Sequence, residues 1–297
     1  TWAYISINHL IAHEIFIGTP PAEILRKYKK YYDPLKHFKQ IRLREQFELF
    51  FQFIQILIGD ADHGCKIKGD TFNEDDIIPK WQHMHDHSSL GYYCVFKIVL
   101  FFLMENYEMS IHYAEEAQQH LESMLGQIFI KEYYFYYSLA LLNLYDSSDK
   151  KRKKNIMKKI HTHSKEMATW ASHSPDNYQH KYLLIQAEMS RYTENMQNTI
   201  ELYKQAIHYA SENKFIQDQG IANEQMAKFL LHQGLDKASI QYLHEARQCY
   251  SSWGATSKLQ LFKKKYDYLF SNSGTIQALT NNNAKFTLFK FRSMIVQ

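Results

Sequence analysis

The sequence predicts an all-α fold, a right-handed α-solenoid built from pairs of helices, on three observations. Residues that break regular structure are scarce: 10 Gly and 5 Pro occur among 297 residues, roughly 5% of the chain against an average of about 12%. Apolar side chains recur at helical spacing, as Phe47, Phe50, Phe51, Ile54 and Ile58 do. Small residues return at fixed intervals in the second half, which indicates an internal repeat.

Composition and charge exclude several classes of protein. With 35 basic and 31 acidic residues the net charge is +4, too small to indicate a nucleic acid or an anionic membrane as partner. A hydrophobic content of 45% excludes disorder for most of the chain. Cys65, Cys94 and Cys249 form neither a disulfide framework nor a zinc pattern, and they indicate a reducing, cytoplasmic environment. No apolar run is long enough to predict a membrane span.

Gly and Pro mark where the helices of the first half end and begin. Gly18 ends an apolar helix, Thr19-Pro20-Pro21 starts the next, and Pro34 opens a third. The polar segment Gly59–Asp76 is the longest early loop. We therefore expect helices over Trp2–Ile17, Ala22–Tyr32, Leu35–Ile58, Ile77–His87 and Leu90–Met104.

The second half is more regular, and its short connections predict antiparallel neighbours. We expect one helical repeat domain over residues 1–270 and a Ser/Asn/Thr-rich linker or tail over 271–297, ordered or disordered. The expected helices are Glu108–Leu125, Tyr133–Tyr145, Lys154–Ala171, Tyr178–Tyr192, Asn198–Glu212, Phe215–His232, Asp236–Ser252 and Lys258–Phe270.

The internal repeat has the spacing of tetratricopeptide (TPR) repeats, whose helices cross at small residues. One copy is displaced from the other by 40 residues, compared with about 34 in a standard repeat, so the units are TPR-like. A generic antiparallel bundle, which also places Ala at helix crossings, is the alternative. The matching positions are Ala187, Thr199, Tyr203 and Ala206, then Ala227, Ser239, Leu243 and Ala246. The pattern of the second helix recurs once more at Ser110, Ala114 and Ala117.

Several segments, taken in order, resemble the helical repeat region of very large multidomain sensor kinases. The resemblance covers Trp170–Leu269 and is most specific at Tyr250–Ala255, which reads YSSWGA. It extends upstream to Ser6–Phe16, Lys68–Glu74 and Phe102–Ala117. In that family a protein-kinase-like domain and an AAA/STAND-type ATPase precede the helical region, and GAF and histidine-kinase domains follow it. The tail from Ser271 departs from the family pattern.

The resemblance implies a non-catalytic helical scaffold for protein–protein or interdomain interaction in a signal-transduction ATPase/kinase. It implies no catalytic residue, cofactor or metal in this region, and protein partners: the neighbouring ATPase/kinase domains or a peptide segment. One alternative is a free-standing peptide-binding TPR regulator. Another is an enzyme with phosphotransfer or phosphatase activity on the helical surface. No nucleic acid and no membrane span are expected.

Three clusters contain residue types that could support chemistry. Gly59–Lys66 misses the phosphate-binding loop motif because Cys65 separates Lys66 from the second Gly. His83 and His87 are expected to share a helix face and would bind a metal together with a third ligand, or they mark a solvated helix end. The basic run Lys150–Lys154 would suit an acidic partner or a nucleic acid, or it is a solvated helix start.

Partner-binding residues follow from the crossing positions, because helical geometry turns other side chains of the same helices toward the concave face. Gly254 is expected to be a left-handed helix C-cap, and Trp253 to cover the end of the last repeat. With Ala187, Tyr203, Ala206, Ala227 and Ala246, these two are the predicted structural residues. The predicted partner-binding residues are Lys181, Leu184, Glu188, Arg191, Ile221, Glu224, Lys228 and Leu231.

Overall fold

A computed structural model describes residues 2–31, 34, 40–59, 64–69, 72–193 and 195–270, and within them it contains thirteen α-helices. The predicted tail 271–297 lies outside the described residues. Short 3₁₀ segments follow α2 and α6, at Lys29–Tyr31 and Gln118–Met124. The helices are α1 Trp2–Ile17, α2 Pro21–Tyr28, α3 Ile41–Ile58, α4 Glu74–His83, α5 His87–Leu103, α6 Tyr107–Ala117, α7 Ile128–Asn143, α8 Lys150–His173, α9 Pro175–Ser190, α10 Met196–Glu212, α11 Ile216–His232, α12 Asp236–Trp253 and α13 over 256–270.

Five of the connections between helices are the same tight turn. In each, a residue with positive φ ends the helix, and the next backbone N–H bonds back across the last turn to close a Schellman-type cap. Three of the five positions carry a side chain where Gly is usual, which costs about 1–2 kcal/mol each. The positive-φ residues are Gly18, His85, Glu105, Lys214 and Gly234, and the closing N–H···O distances are 2.9–3.1 Å.

Side-chain caps fix where the helices start. At four N-termini an Asp or Asn accepts a hydrogen bond from the N–H three residues on, which satisfies one of the free donors of the first turn. Asp149 does this for α8, with a distance of 2.7 Å to the nitrogen of Arg152. The other three caps are Asp86, Asn106 and Asn195. These short polar residues explain why the helix starts fall within a few residues of the predicted ones.

The helices α5–α12 stack in pairs, and this confirms the all-α, TPR-like solenoid. The first helices of successive pairs, α5, α7, α9 and α11, contact one another and form an inner layer, while α6, α8, α10 and α12 pack outside them. Every small or aromatic residue predicted at a crossing is buried. Ser190 donates its hydroxyl to Thr199 across the α9–α10 crossing, at 2.9 Å. Small side chains therefore allow the close helix packing that the spacing predicts.

The inner layer is not an open groove, because the N-terminal helices pack against it. Phe16 of α1 and Phe50 and Phe53 of α3 form one aromatic cluster with Phe96 of α5 and Phe129 of α7. Ring centroids lie 4.3 Å apart for Phe53 and Phe96, and 5.5 Å apart for Phe16 and Phe129. Aromatic contacts at these separations are stabilising beyond the area they bury.

Two hydrogen bonds between distant parts of the chain fix this arrangement. Gln217 of α11 donates Nε2–H to the carbonyl of Phe16, at 2.6 Å. Ser257, near the start of α13, donates its hydroxyl to the carbonyl of Leu57 at the end of α3, at 3.1 Å. The N-terminal helices thus contact the last helix pair and α13.

Gly254 caps α12 in the left-handed conformation, with φ of 81°, and its N–H bonds to the carbonyl of Tyr250. The C-cap prediction is confirmed. Trp253 is buried at the C-terminal end of α12, and its covering of the end of the last repeat stays a prediction.

Gly254→Val should lower the free energy of unfolding by about 1 kcal/mol or more. An added Cβ meets no atom within 4 Å, so the cost comes from a β-branched residue at positive φ alone. Chemical denaturation of the two proteins measures it. Gly254→Asn is the matched control and should cost less, because Asn tolerates this region. A melting curve unchanged by the Val variant would contradict the cap.

Candidate functional site

The predicted partner-binding residues lie on α9 and α11, in the inner layer, but they do not form an open surface. Lys181, Leu184, Glu188, Ile221 and Glu224 are at most 3% exposed. The list is completed by Arg191, Lys228 and Leu231, which are partly buried. The expectation that these side chains face an open groove is wrong, because neighbouring inner helices and α13 pack against them. Their charges bind other helices of the same chain.

The first buried cluster centres on Lys181, whose ammonium bridges three helices. Its Nζ lies 2.9 Å from Oε2 of Glu132 on α7 and 2.8 Å from Oδ2 of Asp218 on α11. Asp218 also accepts Nε2–H from His180, at 2.8 Å. The ring of Phe135 faces the ammonium with its centroid 4.3 Å away. One cation thus ties α7, α9 and α11 together.

Two carboxylates share that one cation, and their pKa values separate. Burial acts to raise the pKa of Asp218, but Lys181 and His180 outweigh burial and hold it below its ordinary value. Burial also dominates at Glu132 and raises its pKa to about 7, despite the contact with Lys181. Burial lowers the pKa of His180, which is therefore a neutral donor to Asp218 at neutral pH. Glu132 is the member that takes up a proton.

The second cluster joins the first repeat to the last helix. Glu105, in the turn between α5 and α6, contacts Lys228 of α11 at 3.1 Å and Lys258 of α13 at 3.6 Å. It also pairs with Lys265 of α13. Glu224 of α11 contacts Lys258 at 2.9 Å. Two carboxylates and three ammonium groups therefore link the α5–α6 turn to α11 and α13.

Tyrosines complete this second cluster. Tyr107 lies 3.0 Å from Nζ of Lys228, and Tyr250 donates its hydroxyl to Glu224 at 2.7 Å. Burial raises the pKa of both phenols, so they are neutral hydrogen-bonding groups. Burial alone would raise the pKa of Glu105, but the three lysines outweigh it and hold that pKa well below its ordinary value.

Two smaller buried clusters also contain charged side chains that are paired within the chain. On α9, Glu188 accepts hydrogen bonds from Arg191 at 2.8 Å and from the Tyr203 hydroxyl at 2.6 Å. On α5, Lys97 donates to the carbonyl of Cys65 at 2.6 Å and pairs with Glu74 at 3.0 Å. In each, a charged side chain anchors an adjacent segment, and the arrangement is suited to holding helices rather than to turning over a substrate.

The chemical motifs considered above are not assembled into a reactive site within the described residues. Lys66, from the near-miss phosphate loop, pairs with Asp75 at 2.6 Å. His83 and His87 do not share a helix face, because α4 ends at His83 and the cap residue Asp86 separates it from α5. In the described part of the chain, no three His, Cys, Asp or Glu side chains are arranged to hold a metal ion.

Glu105→Gly and Lys214→Gly should have opposite effects on stability, although both replace a positive-φ residue in the same kind of turn. Lys214 is exposed, so its replacement relieves strain and should stabilise the chain by up to about 1 kcal/mol. Replacement of Glu105 leaves Lys228 and Lys258 with one buried carboxylate and should destabilise by about 2 kcal/mol or more. Denaturant titration of both variants tests this. Equal shifts would show that the Glu105 pairs contribute nothing.

Glu132→Gln should change how stability depends on pH. Because folding raises the pKa of Glu132 from 4.5 to about 7, its contribution is present below the unfolded pKa and is lost as pH rises through 7. The variant does not titrate here, so its stability relative to the parent should increase between about pH 5 and pH 8, by on the order of 2 kcal/mol. Thermal melts across this range measure it, with exposed Glu122→Gln as control. Parallel curves for parent and variant would contradict the burial effect.

Comparison with known proteins agrees with this architecture. Residues 66–269 match the family described as CHK1-like, TPR repeats, which is more than two thirds of the chain. No curated protein and no solved structure matches. No helix among the described residues is long and apolar enough to cross a bilayer. The matched segment begins after α3 and ends within α13, so it contains all four stacked helix pairs. The chain belongs to the family of CHK1-like TPR repeats.

Proposed function

We propose that the chain is a non-catalytic scaffold that holds together the domains of a cytoplasmic signal-transduction ATPase/kinase. TPR-like repeats present helix surfaces to other proteins, and the resemblance to sensor-kinase helical regions gives the class of neighbour. The three cysteines are free and buried, which supports a reducing compartment. The observation that carries the proposal is the filled inner layer.

A filled inner layer favours contacts between domains over capture of a free peptide. A peptide-binding TPR regulator needs an accessible groove, whereas here α1 and α3 occupy that face through Phe16, Phe50 and Phe53. The remaining outer helices are the surface available to partners. A phosphotransfer enzyme would need an exposed reactive group beside a phosphate site, and no described cluster supports one.

Calorimetry with the domains encoded beside this chain in its parent reading frame tests the proposal. We expect an ATPase or kinase domain to bind the chain with a Kd of about micromolar strength, typical of transient interfaces between domains. A reading frame that encodes no such domain on either side would instead favour a free-standing regulator.

The isolated chain should neither bind Mg-ATP nor transfer phosphate. Lys66, the one lysine in the near-miss loop, is ion-paired with Asp75 and does not directly follow a Gly as a phosphate-binding loop requires. Calorimetric titration with Mg-ATP and an assay with labelled ATP measure this. Stoichiometric, magnesium-dependent binding would overturn the non-catalytic assignment.

A further inference from the structure

The outer helix α8 carries a row of exposed lysines along one face. Lys151, Lys154, Lys158 and Lys165 are exposed and follow one another at intervals of three, four and seven residues, which places them on one side of a helix. Exposed His161 fills the remaining position in this spacing. At 1.5 Å per residue the row is about 21 Å long. We call these four lysines the basic row.

The basic row is unpaired, although cations beside it on the same helix are paired. Arg152 makes two hydrogen bonds to Glu108 of α6, at 2.9 and 2.7 Å. Lys159 contacts Glu115 of α6 at 3.1 Å. Within the described part of the chain, none of the four lysines of the row forms an ion pair. Among the described residues, ion pairs within the fold therefore use the cations beside the row and not the lysines of the row itself.

The row also works against the stability of its own helix. Lys151, Lys154 and Lys158 lie in the N-terminal half of α8, and lysines in the first turn face the positive end of the helix dipole. Like charges three and four residues apart repel one another. The fold itself gains nothing from this placement, and such local conflicts are typical of functional surfaces.

We infer that the basic row binds an acidic helical segment of a partner domain, an inference that rests on the proposed scaffold function. A helix with a carboxylate at every third or fourth residue along one face repeats the spacing of the row. Such a helix can lie along α8 and pair with each lysine in turn. Complementary charge of this kind sets register and speeds association more than it adds affinity.

The surroundings of the row favour a narrow acidic partner over a broad polyanion. Glu108 and Glu115 of α6 are exposed beside α8, and they would repel a nucleic acid duplex or an anionic membrane that extended past the row. Among the described residues, no large apolar side chain that is fully exposed lies on α8. The row thus lacks the exposed rings that stack on bases and the apolar groups that enter a bilayer.

Fluorescence anisotropy with the whole chain and a labelled helical peptide tests the inference. The peptide carries Glu at every third or fourth position on one face. A peptide of identical composition, with Glu distributed around the helix, is its control. The row variant is Lys151→Glu, Lys154→Glu and Lys158→Glu together. The control variant, Lys204→Glu, Lys237→Glu and Lys264→Glu, makes the same charge change at exposed sites on other helices.

We expect the row variant to weaken peptide binding at least tenfold and the control variant to weaken it less than about threefold, with circular dichroism unchanged in both. Binding of the parent should fall with added salt. Equal affinity for the two peptides, or equal loss in the two variants, would overturn the inference. Tighter binding of duplex DNA or phosphatidylserine vesicles that the row variant abolishes would also overturn it, in favour of a phosphate-bearing partner.

The same variants separate this inference from the scaffold proposal. If a neighbouring domain binds parent and row variant alike, the assignment of the row fails and the scaffold function stands. If no neighbouring domain binds while the peptide binds through the row, the scaffold proposal fails and the row is a docking surface for another acidic protein.

Discussion

The packing of α1 and α3 against the inner layer is the contact on which the rest of this structure depends. Phe16, Phe50 and Phe53 pack on Phe96 and Phe129, and all five rings are at most 3% exposed. Burial of apolar side chains is a strong driving force for folding, at about 25 cal/mol per Å². Because α1 and α3 are part of the same chain, the inner faces of α5 and α7 are buried within the chain itself.

The inner layer also holds buried charges. Lys181 is almost fully buried between α7 and α11, and Glu105 is partly buried against α11 and α13. Each requires an opposite charge within hydrogen-bonding distance, and Asp218 and Lys228 supply it. Buried ion pairs of this kind add little net stability over apolar residues, but removal of one partner is costly. They therefore fix which helices pack together more than they strengthen the fold. Because the inner face is filled and its helices are held by these ion pairs, the outer helices are the surfaces available to other proteins.

Sequence alone predicted the helices and their crossings well, because Gly, Pro and short polar caps act locally and small residues repeat. Nothing local pairs Phe16 with Gln217, which are 201 residues apart, so the filled inner face was not predicted. Signals were nevertheless present: α1 is rich in apolar residues, and Ile11, Ile15 and Phe16 are buried. Lys97 and Glu132 interrupt strongly apolar segments, which is typical of buried ion pairs. Their partners, Glu74 and Lys181, could be identified only from the fold.

Hydrogen–deuterium exchange of the whole chain, followed by mass spectrometry, tests the filled inner layer most directly. If α1 and α3 pack as described, the amides of Ile11–Phe16 and Phe50–Leu57 open only with the repeats and should be as protected as those of α5 and α11. Fast exchange of α1 and α3 alongside slow exchange of α5–α12 would contradict the account, because it would show that the inner face stands open and that the N-terminal helices are only loosely attached.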